Sequence, residues 1–411
     1  MVAVVKKVVS KFVLLFALFL VCTSIQFVEL ASANIMPTPP PTVQVYIKAD
    51  GTVEPATTPI EQVGDVYVFA DNLLNHTLTV ERDNIVIDGA GFTLKGVGVN
   101  TGITLSGRKN VTIKNVYIKN YVSSVWLQQS TNNTIRDNIM LTCMNVVLDS
   151  SSNNQIIGNN ITGQDTGFGY GVQLNSGSSK NSILRNSFTD IGIAVRAIDV
   201  EHNVISGNYF VRGGTNVLVK GDENTISKNM MVNGRDGIKV TGSGSRNSVF
   251  GNNVTGKTEC GIEVSWGSSN TVHDNQVTNC SVGVSLGYDR EYSDREVEDN
   301  VFYHNNFINN TQDAFAGWVS GDNSWNKGEK GNYWSSYNGT DIDGDGVGDR
   351  AYVINENNAD YFPLMEPVEI PETTIPETVP EFPSWAILPL LVVATLVGVI
   401  VRNKIRKNGL E

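Results

Sequence analysis

One short pattern limits what this chain can fold into: Asn-x-x-x-x-Asn, with an apolar residue usually two positions after each Asn. It recurs nine times, at Asn110/Asn115, Asn133/Asn138, Asn154/Asn159, Asn181/Asn186, Asn203/Asn208, Asn224/Asn229, Asn247/Asn252, Asn270/Asn275 and Asn300/Asn305. An earlier degenerate copy starts at Asn84. The apolar slots hold Ile135, Ile156, Ile183, Ile205 and Ile226 after the first Asn, and Met140, Ile161, Phe188 and Phe210 after the second. The first full copy breaks the rule with Thr112.

A second string runs in step with the first. It reads Gly171-Val172-Gln173-Leu174, Gly192-Ile193-Ala194-Val195, Gly237-Ile238-Lys239-Val240, Gly261-Ile262-Glu263-Val264 and Gly283-Val284-Ser285-Leu286. Apolar residues two apart are a strand signal. A coil of about 22 residues cannot bury its own apolar face, whereas stacked coils bury a continuous one. The pattern therefore predicts an all-β, right-handed parallel β-helix of about ten rungs, each rung adding about 4.8 Å. Asn suits the corners because it tolerates left-handed backbone and because stacked amides can hydrogen-bond along the rod. A leucine-rich repeat has a similar period but needs several Leu per repeat, and a propeller needs a longer one.

The ends carry different signals. Lys6, Lys7 and Lys11, the apolar stretch Phe12 to Cys22 and Ala31-Ser32-Ala33 read as a signal peptide over 1–33, with a retained anchor as the alternative. Residues 34–63 are expected to be a linker or cap, 64–330 the β-helix, and 331–366 a C-terminal cap. Residues 367–380 are rich in Pro, Glu and Thr and read as a linker. Within 381–411, Ala386 to Val401 is apolar and ends in Arg402, Lys404, Arg406 and Lys407. That predicts a transmembrane helix with a cytoplasmic C-terminus and an external rod. Pro380-Glu381-Phe382-Pro383 before the span resembles the sorting tails of archaeal surface proteins, which implies a kept span or replacement by a lipid.

The net charge of −12 argues against a nucleic-acid partner. Past Cys22, three cysteines remain, too few for a disulfide framework. Cys260 and Cys280 lie one rung apart and are a candidate disulfide in an exported chain. Eight Asn-x-Ser/Thr sequons are candidate glycan acceptors.

The repeats resemble the NosD-type β-helix family, grouped with domains described as carbohydrate-binding and sugar-hydrolysing. Three stretches carry the resemblance: Asn84-Ile85-Val86-Ile87-Asp88-Gly89 onward, the repeated Asn-x-Ile-x-x-Asn, and Gly331-Asn332-Tyr333-Trp334-Ser335 through Asp360-Tyr361-Phe362-Pro363-Leu364. The resemblance implies the fold and leaves the activity open, because this fold hosts many functions. It also implies an accessory role in copper-site maturation. Copper needs clustered His, Met or Cys. The four histidines are His76, His202, His273 and His304, and only the last two fall on adjacent rungs, at different offsets. A copper site is therefore not expected.

Asp341, Asp343, Asp345, the Val347 carbonyl and Asp349 follow the first half of a calcium-binding loop, with Gly346 at the bend. Tyr352 stands where a bidentate Glu would complete it, and Asp360 is a candidate to close the shell. A structural Ca²⁺ at the cap is the expectation; a solvated acidic turn is the plainer reading. For catalysis the candidates are Asp190, Asp236 and Glu259, each just before a second-string strand. Lys239 and Glu263 should face each other on adjacent rungs, and a cross-rung ion pair is the preferred reading there. Trp126, Trp266 and Tyr288 are candidate sugar-stacking aromatics. The loops at Thr162–Tyr170 and Gly287–Asp299 break the period and are where a ligand groove is expected. The leading function is a surface-anchored protein binding carbohydrate or cell-envelope polymer, ahead of a polysaccharide lyase or hydrolase and a copper-maturation accessory.

Overall fold

The computed structural model describes residues 41–163, 168–242, 244–287, 297–317 and 321–370. They form a right-handed parallel β-solenoid of about eleven turns, one more than expected. Each turn contributes one strand to each of three parallel sheets. The second string builds the first sheet, from Val43–Ile47 to Gln312–Ala316. The residues after each first Asn build the second sheet, and those after each second Asn build the third.

The inward residues are those the spacing marks. Ile113, Ile135, Ile156 and Ile183 pair in register on successive turns and are fully buried. Phe188 and Phe210 stack at 4.9 Å. Within the expected linker or cap at 34–63, Val43–Ile47 pairs in parallel with His76–Val80, opening the first sheet. Val53–Glu54 and Ile60–Val63 then add antiparallel strands that cover this end.

Of the two roles expected of the Asn residues, the stacked-amide role is the one observed. Asn133, Asn154, Asn181 and Asn203 are fully buried, and each donates its side-chain N–H to the next Oδ1 at 3.0 to 3.2 Å. The backbone N–H of each donates to that same oxygen. The second Asn of each pair forms a parallel ladder from Asn138 to Asn332. The left-handed conformation falls instead on the residue before each ladder Asn, such as Asp137, Lys180, Arg185, His202 and Lys228. The ladder position selects Asn for its amide, which both donates and accepts.

This corrects the first copy. Asn110 and Asn115 themselves have positive φ, and Val111 and Val116 occupy the ladder positions, donating their backbone N–H to Asn133 and Asn138. The exception at Thr112 is a one-residue offset, since Ile113 faces the core.

The closing segment seals the other end. Trp325 and Trp334 are buried and stack on Phe302 and Phe307 of the last rungs at 4.5 and 4.6 Å. Asp360 ends the second ladder: its Oδ2 accepts from Asn332 N at 2.7 Å and Trp334 Nε1 at 2.9 Å. Burial pushes the Asp360 carboxyl above its ordinary value despite these donors. Asp360 is thus committed to the ladder and cannot close a calcium shell.

The start of the expected 367–380 linker is docked on the rod. The Asn306 side chain donates to Val368 O and accepts from Val368 N, at 2.8 and 2.9 Å. No helix among the described residues is long and apolar enough to cross a membrane. The expected signal peptide and the apolar run at 386–401 lie outside the described residues.

Candidate functional site

Strand register places one column of side chains along the outer face of the first sheet: Trp126, Val147, Gln173, Arg196, Leu218, Lys239, Glu263, Ser285 and Phe315, one per rung. Lys239 and Glu263 face each other as expected, with Nζ 2.9 Å from Oε2. Asp236 joins them from the start of its strand, with Oδ2 3.4 Å from the same ammonium. Two carboxylates therefore share one lysine.

Asp236 reaches this outer face because the strand bends behind it. A Cβ on Gly237 would sit 2.7 Å from Val254 Cγ1 in the core, so Gly237 and Ile238 both face inward. The simple in-out alternation breaks there, and Asp236 turns outward. Its Oδ2 also accepts from Thr215 Oγ1 and Arg235 Nε, both at 3.0 Å. Glu263 Oε1 accepts from Ser265 Oγ at 3.1 Å. Burial pulls the Lys239 pKa down, but Glu263 and then Asp236 outweigh it, and the ammonium is held above its ordinary value.

Asp236, Glu263 and Ser285 are all buried. Among the described residues, four buried side-chain polar atoms have no hydrogen-bond partner: Gln173 Oε1, Asp236 Oδ1, Glu263 Oε2 and Ser285 Oγ. Glu263 Oε2 is nonetheless paired, 2.9 Å from the Lys239 ammonium, which leaves Gln173 Oε1, Asp236 Oδ1 and Ser285 Oγ as the orphans. All four belong to first-sheet strands and face outward. Orphans of this kind each cost about 1–3 kcal/mol and call for an explanation.

The three carboxylates expected as catalytic candidates separate into different roles. Asp190 is held by Arg212 of the next rung in a bidentate pair, at 2.7 and 2.6 Å. Hydrogen bonds from Arg212 keep its carboxyl below the usual range. Glu259 is half exposed and stands 4.0 Å from Arg235, which also contacts Asp236. Asp236 alone of the three belongs to the buried cluster. Alternation concealed this position, and the glycine before Ile238 was the one available signal.

The aromatics are dispersed. Trp126 lies six rungs before Glu263 and is half buried, its Nε1 donating to Asp149 Oδ2 at 2.5 Å. Trp266 is half buried at a left-handed corner. Tyr288 and most of the charged loop around it, residues 288–296, lie outside the described residues, as do 164–167 of the Gly-rich loop.

Cys260 and Cys280 are free, which removes the expected disulfide. Cys260 pairs in register with Val282, while Cys280 sits two residues earlier, behind Gly261 on the core side. Their thiols donate to different carbonyls, those of Ile262 and Thr278. Burial pushes both thiols up.

At the cap, Asp341, Asp343 and Asp345 bring carboxylate oxygens within 4.8 Å of one another. The N–H groups of Gly344 and Gly346 donate to Asp341 at 2.7 and 3.0 Å. Asp349 folds back to accept from Ile342 N at 3.0 Å, and Val347 bridges to Leu364.

The sequence reading missed one arrangement. Phe250, His273 and Tyr303 stack on the outer face of the second sheet, with centroids 5.2 and 4.9 Å apart. Asp274 then sits between His273 Nδ1 at 2.6 Å and His304 Nδ1 at 3.3 Å. Equal register at Phe250, His273 and Tyr303 was the signal available.

Several known proteins are similar to this chain. The NosD family, described as "Periplasmic copper-binding protein (NosD)", matches residues 66–224 and 214–339. The probable ABC transporter binding protein NosD of Pseudomonas aeruginosa is 45% identical over 60 residues, covering 15% of this chain and 14% of that protein's length. A mannuronic acid specific polysaccharide family 6 lyase from human gut microbiota overlaps 63% of this chain and 73% of its own, at 13% identity and a TM-score of 0.46. The catalytic domain of a GH87 alpha-1,3-glucanase overlaps 72% and 62%, at 13% identity and a TM-score of 0.42. Likeness at that level says nothing about what this chain binds.

The family's description names copper, and the donor chemistry here does not fit a ready copper site. Among the described residues, the Asp341–Asp343–Asp345 group is the one set of three His, Cys or carboxylate residues with converging ligand atoms, and its oxygens suit hard cations. The two buried cysteines are held as thiols, and the His273–His304 pair is engaged with Asp274. The parallel β-solenoid is consistent with that family. With more than half of its length inside the match, the chain belongs to the NosD family.

Proposed function

We propose that this chain is an exported β-helix that binds a carbohydrate or cell-envelope polymer along the outer face of its first sheet. One observation carries the reading: polar and charged side chains, Gln173, Arg196 and Lys239, stand partly exposed on one column of that face. A hydroxyl-rich chain laid along the column would exchange hydrogen bonds with them. The rung repeat of about 4.8 Å is comparable with the length of one pyranose unit. Trp126 and Trp266 flank the track as stacking surfaces. The rod is held at the outer membrane face by the apolar C-terminal run, and a structural Ca²⁺ at Asp341, Asp343, Asp345, the Val347 carbonyl and Asp349 stiffens the cap.

The test is a glycan array probed with this protein and with Glu263→Gln. Binding that falls in the variant supports the reading, and a blank array overturns it. A second reading, a polysaccharide lyase or hydrolase, is favoured by Asp236 and Glu263 sharing Lys239. Release of new reducing ends from a bound polymer, lost in Asp236→Asn, would select it over binding alone.

A further inference from the structure

The carbohydrate reading leaves open which saccharides the face accepts, and the arginines narrow the choice. Six of the nine arginines among the described residues stand beside a carboxylate. Arg185 and Arg350 do not, and both are exposed. Arg196 differs from all of these. It is half-buried in the outer column of the first sheet, and no oxygen atom among the described residues accepts from its guanidinium. What it meets is the ring of Tyr170, with Cζ 5.4 Å from the centroid.

The surroundings leave this charge uncompensated. The neighbours that register gives Arg196 are Gln173 and Leu218, neither of them charged. The carboxylates nearby are engaged elsewhere: Asp190 with Arg212, Asp199 with Lys220, and Asp149 with Trp126 Nε1 and the Asn175 side chain. Two rungs on, Lys239 is already shared by Asp236 and Glu263. Arg196 thus carries five N–H donors in a rigid plane, steadied on one side by an aromatic ring, with solvent access and no acceptor. A planar carboxylate is the group that matches such a fork, through two parallel charge-assisted hydrogen bonds.

We propose that Arg196 on Tyr170 is a subsite for the carboxylate of an acidic saccharide, and that the saccharide runs along the column from there towards Trp126. This rests on the carbohydrate reading and specifies its ligand class. Trp126, Val147, Gln173 and Arg196 follow one another in register, so Trp126 stands three rungs from Arg196. That is about 14 Å, a span that a tetrasaccharide covers and a disaccharide does not. Trp126 is partly exposed and offers a stacking surface at the far end.

Calorimetric titration of the full chain with tetragalacturonate and with its methyl ester tests this, because the ester keeps the sugar backbone and removes the charge. The acid is expected to bind roughly tenfold more tightly than the ester, the gain of one charge-assisted contact. That preference should shrink with added salt. Arg196→Gln should erase it while leaving the ester's affinity and the melting temperature close to those of the parent. Arg196→Lys keeps the charge without the fork and should retain part of it. Trp126→Ala should weaken acid and ester tetramers alike and leave digalacturonate unchanged; an unchanged tetramer overturns the proposed track. Equal binding of acid and ester, or a preference that survives in Arg196→Gln, overturns the carboxylate subsite but leaves carbohydrate binding standing. Absence of binding by both overturns the subsite, and a blank glycan array then removes the broader reading too.

Discussion

The interior of the rod and the outer face of its first sheet handle polar groups in opposite ways. Inside, dozens of amide groups are buried and nearly all are matched: each ladder Asn meets the next, and the last meets Asp360. Outside, on Gln173, Asp236 and Ser285, buried polar atoms are left without partners. A fold able to satisfy so many internal amides leaves these three to bear the full cost of burial. Satisfaction marks what builds the rod, and deficit marks residues that the rod alone does not call for.

The comparison breaks first, and most visibly, at the ladder. Asn208 accepts from Asn186 N and Nδ2 and donates to Ile183 O and Asn229 Oδ1, at 2.8 to 3.1 Å. Asn208→Leu removes all four bonds and strands buried partners on both neighbouring rungs. The expected loss is about 4 kcal/mol by urea unfolding. A loss under about 1 kcal/mol would mean the ladder is ornament to the apolar core.

Lys257 is an interior group for which matching is incomplete. It is buried, its ammonium donating to Asn216 Oδ1 at 2.6 Å and to Asn233 O, both neutral acceptors. Burial lowers its pKa to about 8 from the ordinary 10.5. The unfolded chain therefore holds more protons between those values, and stability should rise with pH across that window, by about 3 kcal/mol at most. Lys257→Met should flatten this part of the pH profile, read as unfolding free energy at pH 7.5 and pH 10. An unchanged slope would show that the ammonium is better solvated than its surroundings indicate.

How much of this was legible follows from the same contrast. The rod, its register and the Lys239–Glu263 pairing were readable because repetition imposes one spacing on every rung. The Asn110/Asn115 offset was not, because Asn serves both the left-handed corner and the ladder position beside it, and sequence alone does not separate the two. Asp236 was read as a residue just ahead of a strand. Its burial beside Lys239 depends on the bend at Gly237, which alternation does not encode. The free state of Cys260 and Cys280 depends on which side of the strand each thiol occupies, and a rung count does not contain that. Asp360, read as a candidate to close the calcium shell, sits in the ladder instead, because a lone later carboxylate has no spacing rule.

The acidic loop at the cap is the exposed counterpart of the buried cluster, three carboxylates held close with solvent to screen them. Calcium there should raise the melting temperature, and chelator should lower it, by on the order of 5 °C. Asp343→Asn should abolish the difference between the two conditions. Equal melting temperatures in calcium and chelator would remove the metal from the account of the cap.

The smallest effect is the most discriminating. Ser285 is fully buried on the outer column and its hydroxyl has no partner. If the rod alone determined its residues, an apolar side chain there would serve better. Ser285→Ala is therefore expected to leave stability unchanged or raise it by up to about 1 kcal/mol, since it removes an unsatisfied group and creates little cavity. The same change in a residue whose hydroxyl is matched, such as Ser130, which donates to Leu105 O at 3.1 Å and accepts from Arg108 N at 2.9 Å, should cost about 1 kcal/mol or more. Urea midpoints of the two variants, measured side by side, give the sign of the difference directly. Should Ser285→Ala prove the more costly of the two, the outer hydroxyl would be working for the fold, and the distinction between a satisfied interior and an unsatisfied outer column would lose its footing at that rung.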